Sequence, residues 1–172
     1  LLEHGERTEI QKQFNGMFNE VSNIMLLSVS VKDFQSRNRD LATDLIARGL
    51  GDLESTTRSF TQRDPHASLW SAQQATEKFV KAFLALSDET LPEQALRKRF
   101  GHNTEKLIEA AASYDKHFDQ VRPHASKLSI TPKDRYAVQK MTTVEGIDRI
   151  NLSFAICNLV AVRLLFKLKQ PY

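Results

Sequence analysis

Residues 70–86 read W-S-A-Q-Q-A-T-E-K-F-V-K-A-F-L-A-L, and residues 97–103 read R-K-R-F-G-H-N. Leu69, Ala72, Thr76, Phe79, Val80 and Phe83 recur at steps of three and four, which lays apolar side chains along one face of an α-helix. Asp64-Pro65 marks its start. An aspartate can accept hydrogen bonds from the free N–H groups of a first turn, and proline has no N–H to leave unpaired there. The helix runs to about Leu86, with Glu77 and Lys81 four apart in the order that favours an ion pair. A loop from Ser87 to His102 is expected next, carrying Pro92 and the basic cluster Arg97-Lys98-Arg99.

Upstream, Ile46, Leu50, Leu53, Thr57 and Phe60 define one face of a helix from about Asp40 to Gln62. It contains Gly49 and Gly51, each costing about 1 kcal/mol relative to Ala; they either permit close packing or leave the helix locally weak. Downstream, Asn103 is placed to cap a third helix with Leu107, Ile108, Ala111, Tyr114 and Phe118 inward, stopping near Arg122-Pro123. Residues 122–140 form a long irregular connection with Pro123 and Pro132, a length at which loops are often functional.

A last helix from about Thr143 to Lys167 has Ile147, Ile150, Phe154, Ala161 and Leu165 on one side. Leu152, Ile156, Leu159 and Val162 cover much of the rest, so it is expected at the bundle centre or in a dimer interface. Near the start, Phe14, Met17, Phe18, Val21, Ile24 and Met25 recur at helical steps, whereas Leu27 to Val31 alternates like a strand. A helix or turn followed by an extended piece is the expectation there. The whole reads as all-α: an antiparallel up-and-down bundle of four to five helices over residues 36–172, after an N-terminal extension, residues 1–35.

The 172 residues suit one domain plus a short extension. Six Gly and five Pro are too few for a loop-rich β sandwich. A net charge of +3 is compatible with a nucleic-acid partner without requiring one. Cys157 is the one cysteine, which excludes an internal disulfide and, with scattered histidines, gives no zinc pattern. It reads as a small buried hydrophobe, in a cytoplasmic protein. No metal and no tightly held cofactor are expected. Residues 150–168 are apolar, but Asn151, Asn158, Arg163 and Lys167 interrupt them, so no membrane span is expected. The chain begins at Leu1 without Met and shows no signal-peptide pattern, which reads as a fragment or a processed form.

The segment Gln74-Ala75-Thr76-Glu77-Lys78-Phe79-Val80-Lys81-Ala82-Phe83-Leu84, followed by Gly101-His102-Asn103 and Leu107, resembles the HEPN family, the "higher eukaryotes and prokaryotes nucleotide-binding" domains. In that family a helix reading Q-A-x-E-K-x-x-K-A-x-L precedes a loop ending in a small or hydroxyl residue, His, and Asp or Asn. An Arg-Tyr pair commonly follows in the later loop, and Arg135-Tyr136 fits, without the proline that often comes after it. The resemblance covers residues 36–168. It implies a helical bundle, often a homodimer, often encoded beside or fused to a minimal nucleotidyltransferase in a toxin–antitoxin pair. This chain lacks the Gly-Ser and Asp-x-Asp signature of such a transferase, so that partner would be a separate protein or a missing segment.

Three constellations carry chemistry. Arg97 and His102 match the Arg, four to six residues, His spacing of the family's ribonucleases. A histidine can move a proton at a ribose 2′-OH, and an arginine fork can stabilise the phosphorane. The family's catalytic pair usually opens a later helix, whereas His102 stands at the other family position, ahead of the third helix. A capping His102 beside a solvated basic loop is the alternative. In the second group, Gln74, Glu77, Lys78 and Lys81 lie on the helix that the resemblance assigns to nucleotide or RNA binding. There Lys78 and Lys81 can reach phosphates, or Glu77 and Lys81 can simply pair at the surface. The third group, Arg122, His124, Lys127, Lys133, Arg135 and Tyr136, either holds phosphates and stacks a base or anchors the long loop. With Arg99 as a further phosphate contact, the expected function is binding of a nucleotide or RNA phosphate without catalysis. A metal-independent ribonuclease toxin and a protein-interaction module are the alternatives.

Overall fold

The carboxylate of Asp64 accepts a hydrogen bond from the Ala67 N–H at 3.0 Å, and α3 (Pro65–Ser87) starts there. A computed structural model describes residues 21–128 and 143–169, the side chains of 143 and 144 excepted. All its regular structure is helical: α1 (described over residues 21–30), α2 (Arg39–Thr61), α3, α4 (Glu93–Phe100), α5 (Thr104–Tyr114) and α6 (Thr143–Lys169). Short 3₁₀ turns occupy Val31–Asp33, Lys116–Gln120 and Arg122–Leu128.

The central helix is α3 rather than α6, because α2, α5 and α6 all pack on it. Ala75, Phe79, Val80, Ala82, Phe83, Leu84 and Ala85 are fully buried and surround most of its second half. α2 lies antiparallel to it. Ser68 Oγ donates to the Thr56 carbonyl at one end, and Asn38 Nδ2 donates to the carbonyls of Ala85, Asp88 and Leu91 at the other. Consecutive helices from α2 to α5 alternate in direction. α6 returns alongside α3 in the same sense, with Ser153 and Thr76 hydroxyls 2.7 Å apart and Lys167 Nζ donating to Ser87 Oγ at 2.9 Å.

Several sequence expectations are corrected. The buried face of α2 is Ala42, Leu45, Ile46, Gly49, Leu53 and Thr56, whereas Thr57 and Phe60 are exposed. Counting only large side chains misplaced this stripe, because its closest contact is a glycine. A Cβ built on Gly49 would lie 2.8 Å from two carbons of the Phe79 ring. Gly49 therefore lets α2 and α3 approach, and Gly51 faces open space.

The expected loop from Ser87 to His102 contains α4. Pro92 precedes Glu93, and Arg97, Lys98 and Arg99 occupy the last turn, where cations complement the helix dipole. Leu96 and Phe100 bury one side of it. Asn103 caps α5 by accepting from Lys106 N–H at 2.9 Å, as its position suggests. α5 ends at Tyr114, not near Arg122, and Tyr114 is exposed. The next residue, Asp115, accepts from the N–H of His117 and from Arg163 Nε of α6, which turns the chain out of the helix. Phe118 then reaches the core from a 3₁₀ turn, its ring 4.7 Å from that of Phe83.

The strand-like alternation of Leu27 to Val31 is helical. Ile24, Leu27, Val31 and Phe34 are buried at helical spacing and join the common core, while Val29 is exposed. Residues 24–34 of the expected extension thus contribute to the bundle. On α6, Ser153, Ile156, Cys157, Val160, Ala161 and Leu164 are buried, whereas Ile147 and Val162 are exposed. By length and composition α6 could also cross a membrane; here its buried face packs on α3. Arg135, Tyr136 and Lys133 lie outside the described residues.

Candidate functional site

Gln74, Glu77, Lys78 and Lys81 fall at i, i+3, i+4 and i+7 and form one stripe on α3. Leu45 and Arg48 of α2 border that stripe on one side, and Glu93, Leu96, Arg97, Gly101 and His102 border it on the other. The groove between them holds about 740 Å³ of space, counting what is open to solvent.

Its floor is an ion pair. Glu77 and Lys81 are 5% and 6% exposed, and Lys81 Nζ donates to Glu77 Oε1 at 2.5 Å. The pairing expected at the surface is therefore buried, where breaking it is far more costly. Lys81 also donates to the Gly101 carbonyl at 2.8 Å. Gly101 has φ +54° and ψ −121°, a conformation that favours glycine and ends α4. The other Glu77 oxygen, Oε2, lies 3.0 Å from Nδ1 of His102. The His102 side chain is 72% exposed and makes no hydrogen bond through Nε2 among the described residues. His102 does not cap α5, a role taken by Asn103.

Arg97 and His102 line the same groove. Lys78 pairs with Asp52 and Arg48 with Asp44. Arg97 is exposed and has no ion-pair partner among the described residues. Gln74 Nε2 is buried without an acceptor among them. Arg99 does not line this groove; its guanidinium sits 5.2 Å from the Phe100 ring. Arg122, His124 and Lys127 are exposed on a 3₁₀ turn and do not line it either.

The contribution of α2 through Leu45 and Arg48 was not legible beforehand, since helix packing alone brings these residues to the motif. Glu93 and Leu96 had a signal, in the Pro-Glu start and basic last turn of α4. Among the described residues no group of three or more His, Cys, Asp or Glu side chains could hold a metal. Burial pushes the Cys157 thiol far above its ordinary range, which leaves it unreactive.

The model of the HEPN domain matches residues 42–143, more than half of the chain. The chain belongs to the HEPN family. The matched span contains every residue that lines the groove, so the site belongs to the HEPN domain itself. HEPN domains form a superfamily associated with nucleotide binding and with ribonucleases. No curated protein and no solved structure matches the chain significantly.

Proposed function

We propose that this HEPN domain binds a phosphate of a nucleotide or of RNA in the groove between α2, α3 and α4. The observation that carries this reading is Arg97, an exposed guanidinium with no ion-pair partner among the described residues, facing the family's helix across the groove. An arginine fork suits two phosphate oxygens at once. Lys81 neutralises the Glu77 carboxylate, which would otherwise repel an anion from the floor. Lys78 and Arg48 add positive charge at the rim, each shared with an aspartate.

The test is fluorescence anisotropy of a labelled single-stranded RNA over a salt series. Arg97→Gln is expected to weaken binding about tenfold and to reduce the salt slope by about 1. Unchanged affinity in that variant would remove the reading.

A second reading, a metal-independent ribonuclease, is favoured by one observation. Glu77 holds the exposed His102 ring by Nδ1, and Arg97 lines the same groove. A carboxylate that fixes one ring nitrogen orients the other for proton transfer, and Arg97 would face the developing charge on phosphorus.

A further inference from the structure

Lys167, near the end of α6, is placed unlike any other lysine among the described residues. Its Nζ stands 4.7 Å from the centroid of the fully buried Phe83 ring and donates to Ser87 Oγ at 2.9 Å. No carboxylate lies within ion-pair distance of it among those residues. Lys78 and Lys81, the other described lysines that are not exposed, both sit in ion pairs. Two charged groups face Lys167: Asp115 at the end of α5 and Arg163 one turn back on α6. The Asp115 carboxylate is already shared, since Oδ2 accepts from Arg163 Nε and Oδ1 lies 2.7 Å from His117 Nδ1.

Half-buried against an aromatic ring, the ammonium loses part of its hydration. That desolvation holds the group below its ordinary 10.5; Asp115 opposes the effect and Arg163 adds to it. A lysine both desolvated and beside another cation is the arrangement that yields a nucleophilic amine. An ordinary lysine offers only about 1 free amine in 2,500 at pH 7. The attack has room, because the side chain stays partly exposed and Ser87 engages a single N–H.

We propose that Lys167 is an acylation site that reacts directly with acyl phosphates. The neutral Nζ adds to the acyl carbon, a C–N bond forms and the C–O bond to phosphate breaks. Phosphate leaves with the bonding pair, and the surplus proton of the amine passes to water. Arg163 favours the negative charge of the donor. The product is a neutral amide, so the charge over the Phe83 ring is removed. Lys167 does not line the groove between α2, α3 and α4, and the proposal stands apart from the phosphate-binding reading.

The experiment is brief incubation of the full chain with acetyl phosphate from pH 7 to pH 10, with acetylation of each lysine counted by mass spectrometry. The exposed Lys32 and Lys106 serve as standards in the same molecule. At pH 7, Lys167 is expected to react at least about threefold faster than either. The ratio should fall as pH rises, because the exposed amines gain roughly tenfold per pH unit while Lys167 levels off first. Arg163→Gln should lower the ratio at pH 7, since Asp115 then faces Lys167 without its arginine.

A ratio at or below 1 at pH 7 overturns the proposal. So does a ratio that stays constant with pH, because it would report accessibility alone. The pH series needs only the wild-type chain, so it decides the matter even if Arg163→Gln fails to fold.

Discussion

His102 Nδ1 lies 3.0 Å from Oε2 of Glu77, a carboxylate whose Oε1 is already held by Lys81. One buried acid on α3 thus fixes a lysine within its own helix and a histidine beyond the end of α4. Lys81 completes the arrangement by reaching the Gly101 carbonyl, so residues 101 and 102 are secured by a single ion pair.

Replacing Glu77 with Gln should cost about 3–5 kcal/mol of stability, because it leaves the Lys81 ammonium buried without a counter-charge. Urea denaturation measures this. The double variant Glu77→Leu with Lys81→Met should recover most of the loss, since an apolar pair of similar volume removes both charges. Equal destabilisation in the single and double variants would show that the pair contributes little beyond its shape.

RNA held with the protein in chelator separates binding from catalysis. The catalytic reading requires cleavage that His102→Ala abolishes; the binding reading requires intact RNA and a weakened complex. The substitution should leave stability within about 0.5 kcal/mol, because the His102 side chain is mostly exposed.

Gly49→Ala and Gly51→Ala should have opposite signs, though the two glycines share one helix. At Gly49 the new Cβ meets the fully buried Phe79 ring at 2.8 Å, and overpacking of this kind costs about 1–3 kcal/mol. At Gly51 nothing lies within 4 Å, and the gain in helix propensity should stabilise by about 0.5–1 kcal/mol. Thermal unfolding of the two variants reads both.

Asp115→Asn should destabilise at neutral pH and progressively less in acid. Burial raises the Asp115 carboxyl, but hydrogen bonds from Arg163 and His117 outweigh it and hold the group below its ordinary 3.8. A depressed folded-state value gives stability that is complete well above 3.8 and is lost as pH falls through the folded value. The gap between variant and wild type should therefore close below about pH 3.8, as followed by denaturant midpoints.

Apolar periodicity places α2 and α6 to within two residues, and capping residues mark the starts of α3 and α5, whereas the eight residues of α4 are too few to show a period although Pro92 precedes them. Asp64-Pro65 and Asn103 place α3 and α5 because a cap is a local event between residues three apart. The face of α2 was misread because Ala42 and Gly49, which make its contact, carry no hydrophobic signal of their own. Alternation from Leu27 to Val31 coincided with a helical step from Leu27 to Val31, and only burial of Ile24 and Phe34 decides between them. At the site, the motif on α3 was visible as letters. That Glu77 and Lys81 form a buried floor, and that Arg48 arrives from α2, depends on packing between distant segments.

The two walls of the groove are unequally free to change. The α3 stripe is set among fully buried residues, so a substitution there is also a substitution in the core. α4 stands on Leu96 and Phe100, and its remaining length, including Glu93, Arg97, Lys98 and Arg99, faces outward. Descendants of this domain could acquire new ligands by rewriting one eight-residue helix, with folding left almost untouched. Heritable novelty would collect on α4, and α3 would stay much as it is.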